Sequence, residues 1–173
     1  NANDRRGHVR VYQYSNSAWT QLGADIDGEA ANDFSGESIS LSSDGTIVAI
    51  GSTVNDGTST NTSDNRGHVR VYQYSNSAWT QLGADIDGEA TNDESGTSVS
   101  LSSDGTIVAI GAPYNDGTSG NSNDNRGHVR VYQYSNSAWT QLGADIDGEA
   151  ANDLSGYGPL SVSLSSDGSI VAI

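Results

Sequence analysis

Apolar and polar residues alternate along residues 8–14, with Val9 and Val11 on one face and polar or aromatic side chains on the other. A period of two residues is typical of a β-strand whose two faces meet different surroundings. The turn-forming residues 15–17 follow, and a second strand-like run covers residues 19–26. The pattern therefore predicts an antiparallel hairpin.

A second hairpin is indicated by the turn Ser43-Asp44-Gly45, which lies between the runs 38–42 and 46–51. Asp-Gly favours a tight turn between strands because glycine adopts positive φ at little cost. Residues 47–50 are apolar on both faces, so we expect a strand that is covered on both sides. No segment of the sequence has a helical period.

The whole pattern recurs every 60 residues, and residues 6–30 are identical to residues 66–90 and 126–150. A fixed period of this length indicates a repeat array whose units bury apolar surface against one another. Four antiparallel strands per unit, two mixed and two apolar, are typical of a propeller blade. We therefore predict an all-β fold of β-propeller blades, with one four-stranded antiparallel sheet in each 60-residue repeat.

The phase of the repeat divides the chain into two blades between two half-blades. The predicted boundaries are a half-blade at 1–37, blades at 38–97 and 98–160, and a half-blade at 161–173. Propellers close with about four to eight blades, so a closed ring needs more chain or other subunits, and the alternative is an open array or filament. The sequence has no initiating Met, and we expect it to be a segment of a longer chain.

The residues of the second unit carry a resemblance to a known family. Residues 96–113, which end in Gly-Ala-Pro, and the following Gly127–Tyr132 resemble the FG-GAP repeat of integrin α-chain propellers and many microbial surface proteins. Residues 33–36 approximate the Phe-Gly half of that motif, although Phe34 is replaced in the other two units. The resemblance implies an extracellular propeller used for adhesion or ligand binding. The family's calcium loop is not carried over, because the corresponding Ser-Ser-Asp-Gly turn is too short.

The composition excludes several kinds of chemistry. The chain has no Cys, Met or Lys, and 7 Arg stand against 22 acidic residues, for a net charge of −15. Disulfides, Cys-based zinc sites and Lys-derived Schiff bases are therefore excluded. An acidic surface repels phosphate groups, so we expect neither nucleic-acid binding nor membrane insertion. The acidity and the lack of oxidisable sulfur favour an extracellular or cell-surface location.

An acidic segment that recurs in every unit is the predicted metal site. Two aspartates lie two residues apart on a strand and point to one side, and a Glu and a further Asp follow across a Gly turn. The candidate ligands are Asp25, Asp27, Glu29 and Asp33, then Asp85, Asp87, Glu89 and Asp93, then Asp145, Asp147, Glu149 and Asp153. Ca²⁺ takes about six to eight oxygen ligands, so Ca²⁺ is the cofactor that this set predicts. The alternative is a solvated acidic turn.

Three further kinds of residue are assigned roles from the sequence. Asn61 begins an Asn-Thr-Ser glycosylation sequon on a predicted loop. One Trp per unit is interpreted as a wedge between neighbouring sheets, with sugar stacking as the alternative. One His per unit, without the asymmetry of an active site, is interpreted as a hydrogen-bonded structural residue.

Together these observations predict an extracellular structural or adhesive repeat protein without enzymatic activity. It would be a propeller module or a subunit of a surface assembly or filament. The expected partners are other copies of the repeat, in the same chain or in another, and an extracellular protein or glycan. The alternative is a ligand-binding or enzymatic propeller whose site lies outside this segment.

Overall fold

The computed structural model describes residues 4–57, 61–118 and 121–173, and these residues form strands, turns and loops without a helix. The prediction of an all-β fold is therefore confirmed. Within the described part of the chain there is accordingly no helix of the length and apolar character needed to cross a membrane.

Four groups of strands follow one another along the chain. The first group is β1 His8–Val9, β2 Tyr12–Ser15, β3 Ala18–Gln21 and β4 Ile26–Asp27. The second is β5 Ser38–Leu41, β6 Ile47–Ser52, β7 His68–Ser75, β8 Ala78–Gln81 and β9 Ile86–Asp87. The third is β10 Ser98–Leu101, β11 Ile107–Ala112, β12 His128–Ser135, β13 Ala138–Gln141 and β14 Ile146–Asp147, and the last is β15 Ser163–Leu164 and β16 Val171–Ala172.

The second and third groups are antiparallel sheets with the same topology. In the second sheet β5, β6 and β7 pair in that order, and β8 and β9 both pair with the far side of β7. In the third sheet β10 to β14 repeat this arrangement. We call β5, β10 and β15 the inner strands, and the pairs β8 with β9 and β13 with β14 the outer strands.

The outer strand, predicted as one continuous run, is interrupted by a bulge. Tyr72 pairs with Gln81 and Val69 pairs with Ile86. The chain therefore advances five residues along the outer strand while it advances three along β7. Gly83, with φ of 71°, lies within the excursion. Glycine adopts this conformation without steric cost, and the two extra residues bend the outer strand away from its ladder.

The strand at residues 8–14 is in two pieces in the first unit, whereas its copies β7 and β12 are continuous. β6 pairs with β7 from His68 to Gln73. Among residues 4–57 no strand pairs with β1 or β2 in the position that β6 takes beside β7. The continuity of this strand therefore depends on its inner neighbour as well as on its own sequence.

Each complete sheet is covered on both faces by the sheets before and after it. β6 is buried along its whole length, as its doubly apolar sequence predicts. Alternate residues of β6 belong to different core clusters, so that Ile47 and Ala49 face the third sheet and Val48 and Ile50 face the first. The cluster between the second and third sheets contains Ile47, Ala49, Val69, Val71, Ile86, Val99, Leu101, Val108, Ile110 and Tyr132.

The inner strands of successive sheets approach each other closely. The Leu101 amide donates to Ser40 Oγ at 2.9 Å, and the Leu164 amide donates to Ser100 Oγ at the same distance. Beside them, a Cβ added to Gly51 would lie 2.1 Å from the Gly96 carbonyl oxygen. The small residues Ser40 and Gly51 make this close approach possible.

The outer strands are held further apart by large side chains. Trp79 donates from Nε1 to the Leu22 carbonyl of the preceding unit at 2.8 Å, and its ring lies against Gly23. Trp139 makes the same hydrogen bond to Leu82 at 2.8 Å. These two tryptophans therefore lie between sheets, as the sequence predicts, whereas Trp19 is 69% exposed.

Candidate functional site

The polar face of β7 is turned toward the preceding unit and is buried there. Val69 and Val71 face the third sheet, so strand alternation directs His68 and Arg70 toward the first. Their relative exposures are only 1% and 6%. In the third sheet, His128 and Arg130 are buried in the same way.

Carboxylates from two successive units converge on His68. Its Nδ1 atom lies 3.8 Å from Asp85 Oδ2, 4.0 Å from Asp87 Oδ1 and 4.0 Å from Glu29 Oε2. Glu29 follows β4 of the preceding unit, whereas Asp85 ends the bulge and Asp87 pairs with His68 in the ladder. All three distances exceed those of a hydrogen bond.

The next interface repeats this arrangement. His128 Nδ1 lies 3.9 Å from Glu89 Oε2 and 3.8 Å from Asp145 Oδ2. In each interface the ligand atoms of one Glu, one His and one Asp lie within 4.8 Å of one another. We call the groups Glu29, His68 and Asp85, and Glu89, His128 and Asp145, the inter-repeat clusters.

The sequence predicts hydrogen-bonded histidines, but the histidines of these clusters make no hydrogen bonds through their side chains to the described residues. Neither Nδ1 nor Nε2 of His68 or of His128 has a hydrogen-bond partner among the described residues. Asp87 Oδ1 is likewise buried without such a partner. Buried polar atoms are usually paired, and leaving one unpaired costs about 1–3 kcal/mol. The prediction of a hydrogen-bonded structural histidine is therefore wrong for the two buried copies, which lie between carboxylates of their own unit and a glutamate of the preceding unit.

An arginine connects each cluster to the backbone of the preceding unit. Arg70 Nη2 donates to the Asp27 carbonyl at 2.9 Å, while Nη1 lies 3.5 Å from Glu29 Oε1. The guanidinium carbon lies 5.6 Å from the Tyr72 ring centre, a cation–π arrangement. Arg130 makes the corresponding contacts, with Nη2 at 2.8 Å from the Asp87 carbonyl.

Burial dominates the protonation of the first cluster. It lowers the pKa of His68 to about 4, and the Asp85 charge opposes this shift. Burial also raises the pKa of Glu29, and the charge of Arg70 partly offsets this shift. Burial and then the negative charge of Asp85 raise the pKa of Asp87. The cluster therefore presents a neutral imidazole, with one nitrogen free of a proton, beside several carboxyl groups at neutral pH.

The acidic residues predicted as one set in each unit are divided between different roles. The first aspartate of each set accepts a hydrogen bond from a nearby Gln, and the last accepts one from a backbone amide three residues earlier. The first aspartates are Asp25, Asp85 and Asp145, at 2.7, 2.6 and 2.7 Å from the Gln nitrogen. The last are Asp33, Asp93 and Asp153, at 2.7, 2.9 and 2.7 Å from the Ala amide.

Two of these last aspartates are also bonded to a neighbouring loop. Asp33 and Asp93 are almost fully buried, and each accepts a hydrogen bond from the amide of Asn55 or Asn115. In the third set, Asp147, Glu149 and Asp153 line a surface cleft of about 550 Å³. The structure thus brings Glu29 next to Asp85 of the following unit, and Glu89 next to Asp145. Binding of Ca²⁺ by any of the three predicted sets stays a prediction.

Sequence reasoning missed the histidines as members of the acidic site. The available signal was the ladder, because an antiparallel pairing of residues 68–69 with residues 86–87 places His68 opposite Asp87. The contribution of Glu29 could not be read from one unit, since it depends on how two units pack.

Each interface between units also contains an open cleft beside its tryptophan. One cleft of about 300 Å³ is lined by Asp85, Asp87, Tyr132 and Trp139, among others. A matching cleft of about 320 Å³ contains Asp25, Asp27, Tyr72 and Trp79. Asn61, the predicted glycosylation site, is exposed, and its modification stays a prediction.

Comparison with known proteins finds similarity in structure alone. No family model matches the chain, and no curated protein matches its sequence. A crystal structure of a candidate 6-phosphogluconolactonase from Bacteroides uniformis is similar, with a TM-score of 0.57 over 98% of this chain and a sequence identity of 12%. The chain spans 40% of the length of that protein. At this identity the similarity shows a shared fold and leaves the family and activity of the chain open.

Proposed function

We propose that this chain is an extracellular structural and adhesive repeat protein, a β-propeller module or a subunit of a surface assembly or filament. The observation that carries the proposal is that its two end sheets expose the same surfaces that its internal interfaces bury. Such a chain adds units of its own kind at either end.

Small residues at the inner edge and large residues at the outer edge support a blade arrangement. Ser40 Oγ accepts directly from the backbone of the next sheet, whereas Trp79 separates the outer strands. Sheets that lie close together at one edge and further apart at the other are tilted relative to each other. When every sheet is tilted in the same sense, the successive sheets follow an arc. The arc closes into a propeller or continues as a helical filament, depending on the rotation per unit.

The first end surface is the exposed counterpart of an internal one. Trp19 is 69% exposed, and Ile39 and Leu41 are 47% and 48% exposed, whereas their copies Val99 and Leu101 are 5% and 8% exposed. A preceding unit would cover these side chains in the way that each internal unit covers its successor.

The opposite end carries a gap beside Leu142 and Gly143, which we call the Leu142 slot, and its shape is complementary to a tryptophan ring. A Cβ built on Gly23 or on Gly83 meets the ring of Trp79 or Trp139, but one built on Gly143 meets no described atom within 4 Å. The adjacent Leu142 is 41% exposed. The occupant that fits this slot is the tryptophan hairpin of another copy of the repeat, and the contact is head-to-tail.

Sedimentation velocity over a range of concentrations tests this proposal. We expect the chain to form concentration-dependent oligomers, and we expect Trp19→Ala to lose them because it removes the side chain that enters the slot. Trp19→Ala chains keep the Leu142 slot, so adding them to the unmodified chain should cap and shorten its oligomers. A chain that stays monomeric at high concentration, or a variant that assembles equally well, contradicts the proposal.

The adhesive role and location need a separate test. The net charge of −15 and the absence of Cys and Met support an extracellular setting. Protease treatment of intact producing cells should remove the protein while a cytoplasmic marker survives. Protection of the protein in intact cells would contradict the location.

A glycan ligand is a second candidate, favoured by the clefts that combine a tryptophan with two aspartates. Aromatic rings stack on sugar faces, and carboxylates accept hydrogen bonds from hydroxyl groups. Titration of tryptophan fluorescence with a panel of oligosaccharides tests it, and an unchanged spectrum with every sugar would remove it.

A further inference from the structure

The inter-repeat clusters contain more ligand atoms than the packing of the sheets requires. In the first cluster one imidazole nitrogen faces three carboxylate oxygens at 3.8–4.0 Å. Two donors bound to a tetrahedral divalent ion at about 2.1 Å lie about 3.4 Å apart. The ligand atoms of Glu29, His68 and Asp85 all lie within 4.8 Å of one another, so a small cation fits between them if the side chains close by about an ångström or less.

A buried and unpartnered histidine marks this point independently of the acidic residues. His68 is 1% exposed, neither of its nitrogens has a hydrogen-bond partner among the described residues, and Nδ1 is the atom nearest the carboxylates. The same is true of His128, which is fully buried beside Glu89 and Asp145. A cation would pair with this lone pair and relieve the desolvation cost that each cluster now carries.

The charge of the cluster favours a cation. Glu29, Asp85 and Asp87 surround a neutral imidazole, and Arg70 Nη1 lies 3.5 Å from Glu29. Arg66 and Arg130 also act on Asp87, but each is paired with a further carboxylate, Asp64 at 2.9 Å and Glu89 at 3.4 Å. Glu29 and Asp85 remain 47% and 32% exposed at their side chains, so an ion can reach the cluster from solvent.

The donor atoms indicate the class of ion. Ca²⁺ and Mg²⁺ prefer all-oxygen coordination, whereas imidazole combined with carboxylates suits Zn²⁺ and similar transition ions. We propose that Glu29, His68 and Asp85, with Asp87 beside them, bind one divalent transition ion of the Zn²⁺ type, and that Glu89, His128 and Asp145 bind a second. This site differs from the predicted calcium set because it includes histidine and crosses the boundary between units.

Such an ion would link two successive sheets. Its Glu ligand belongs to one unit, and its His and Asp ligands belong to the next. Because the ligands come together only when the sheets pack, binding the ion stabilises the interface.

Isothermal titration of the chelator-treated chain with Zn²⁺ tests the proposal, with Co²⁺ absorption as a second readout. In the Trp19→Ala chain, which should stay monomeric, we expect two ions per chain and a rise in the unfolding temperature when Zn²⁺ is added. Glu29→Gln combined with Glu89→Gln should weaken both sites at least about tenfold. Both glutamates are about half-exposed, so this variant should fold, and circular dichroism checks that it does.

The chain supplies matched controls in identical local sequence. His8 and Glu149 occupy the same repeat positions as His68 and Glu89 but lie at the two ends, where the described residues form no inter-repeat cluster around them. In the Trp19→Ala background, which the proposed head-to-tail contact does not join, His8→Gln and Glu149→Gln should therefore leave the stoichiometry and affinity unchanged.

Three results would overturn the location of the ion, and a fourth would overturn its class. The first is a folded chain that binds no Zn²⁺, and the second is equal binding by the double glutamine variant. The third is a loss of affinity in the control variants equal to that in the double variant, which would assign the ion to the acidic set within one unit. Displacement of Zn²⁺ by equimolar Ca²⁺ would contradict the class of ion.

Discussion

The first and second units share 25 consecutive residues but place them in different surroundings. The hairpin itself is the same in both, since Asn16 and Asn76 each have φ of 50° and the Tyr–Trp ring centres are 5.2 and 5.1 Å apart. Yet His8 is exposed and His68 is buried among carboxylates. The comparison teaches that the strands and turns are determined within a unit, whereas burial and electrostatics are determined by the unit that precedes it.

The largest effect should come from filling the closest approach between sheets. Gly51→Ala would place a Cβ 2.1 Å from the Gly96 carbonyl oxygen, and backbone on both sides leaves little room to adjust. We expect a loss of about 3 kcal/mol in the free energy of unfolding by urea. Gly111→Ala meets its neighbour, the Gly156 carbonyl, at 2.8 Å and should cost less. Equal losses in the two variants would contradict the tighter packing at Gly51.

Truncating the tryptophans compares an internal interface with an end directly. Trp79→Ala removes ring packing and the hydrogen bond to the Leu22 carbonyl, and we expect a loss of about 2 kcal/mol because the ring is only partly buried. Trp19→Ala changes the same residue in the same hairpin and should cost under about 0.5 kcal/mol. Both values come from urea unfolding of the monomer. If Trp19→Ala destabilised the chain as strongly as Trp79→Ala, the wedge interpretation would fail.

The inner-edge serines allow a finer comparison. Ser40→Ala removes the acceptor of the Leu101 amide, and we expect a loss of about 1 kcal/mol in the free energy of unfolding. Ser163 holds the same position in the last pair of strands, where it is exposed, and Ser163→Ala should be neutral. Thermal and urea unfolding both measure the difference, and a neutral Ser40→Ala would argue against hydrogen bonding between sheets.

The smallest effect concerns a turn that lies within one unit. The Thr106 amide and then the Ser102 hydroxyl donate to Asp104 and lower its pKa below the ordinary 3.8. As the pH falls, Asp104 is therefore protonated in the unfolded chain before it is protonated in the folded chain. Its charge stabilises the fold fully above about pH 4, and this stabilisation is lost as the pH falls through the pKa of the folded state.

Asp104→Asn should accordingly cost about 0.5 kcal/mol at pH 6, since the side chain is exposed. The difference from the unmodified chain should close as the pH approaches 2. A difference that stays constant with pH, measured by urea unfolding, would show that the charge of Asp104 is not involved.

The sequence predicts the elements of the fold well because their signals are local. Alternation, the Asp-Gly turns and the doubly apolar run of β6 each depend on neighbouring residues, and the structure has strands and turns where these signals predict them. The bulge opposite Arg70 was missed because no residue within residues 19–26 forbids a continuous strand. Its cause is the register of the ladder, which a single strand does not reveal.

The candidate site was predicted less completely, since one of the three residues of each cluster comes from another unit. Grouping Asp25, Asp27, Glu29 and Asp33 by their closeness in sequence selected the right type of residue. The structure joins Glu29 instead to His68 and Asp85, more than 35 residues away along the chain. That grouping follows from the packing of sheets, which the repeat period suggests without specifying which faces meet.

Amide hydrogen exchange at three leucines tests most directly that the sheets stack along their inner strands. The chain has eight leucines, so labelling with ¹⁵N-leucine gives a sparse NMR spectrum, and the Trp19→Ala variant supplies the monomer. Leu101 and Leu164 donate to serines of the preceding sheet and should exchange slowly. Leu41 holds the same position in β5, which has no inner strand before it among the described residues, and should exchange fast. Equal exchange at all three leucines would contradict the stacked arrangement.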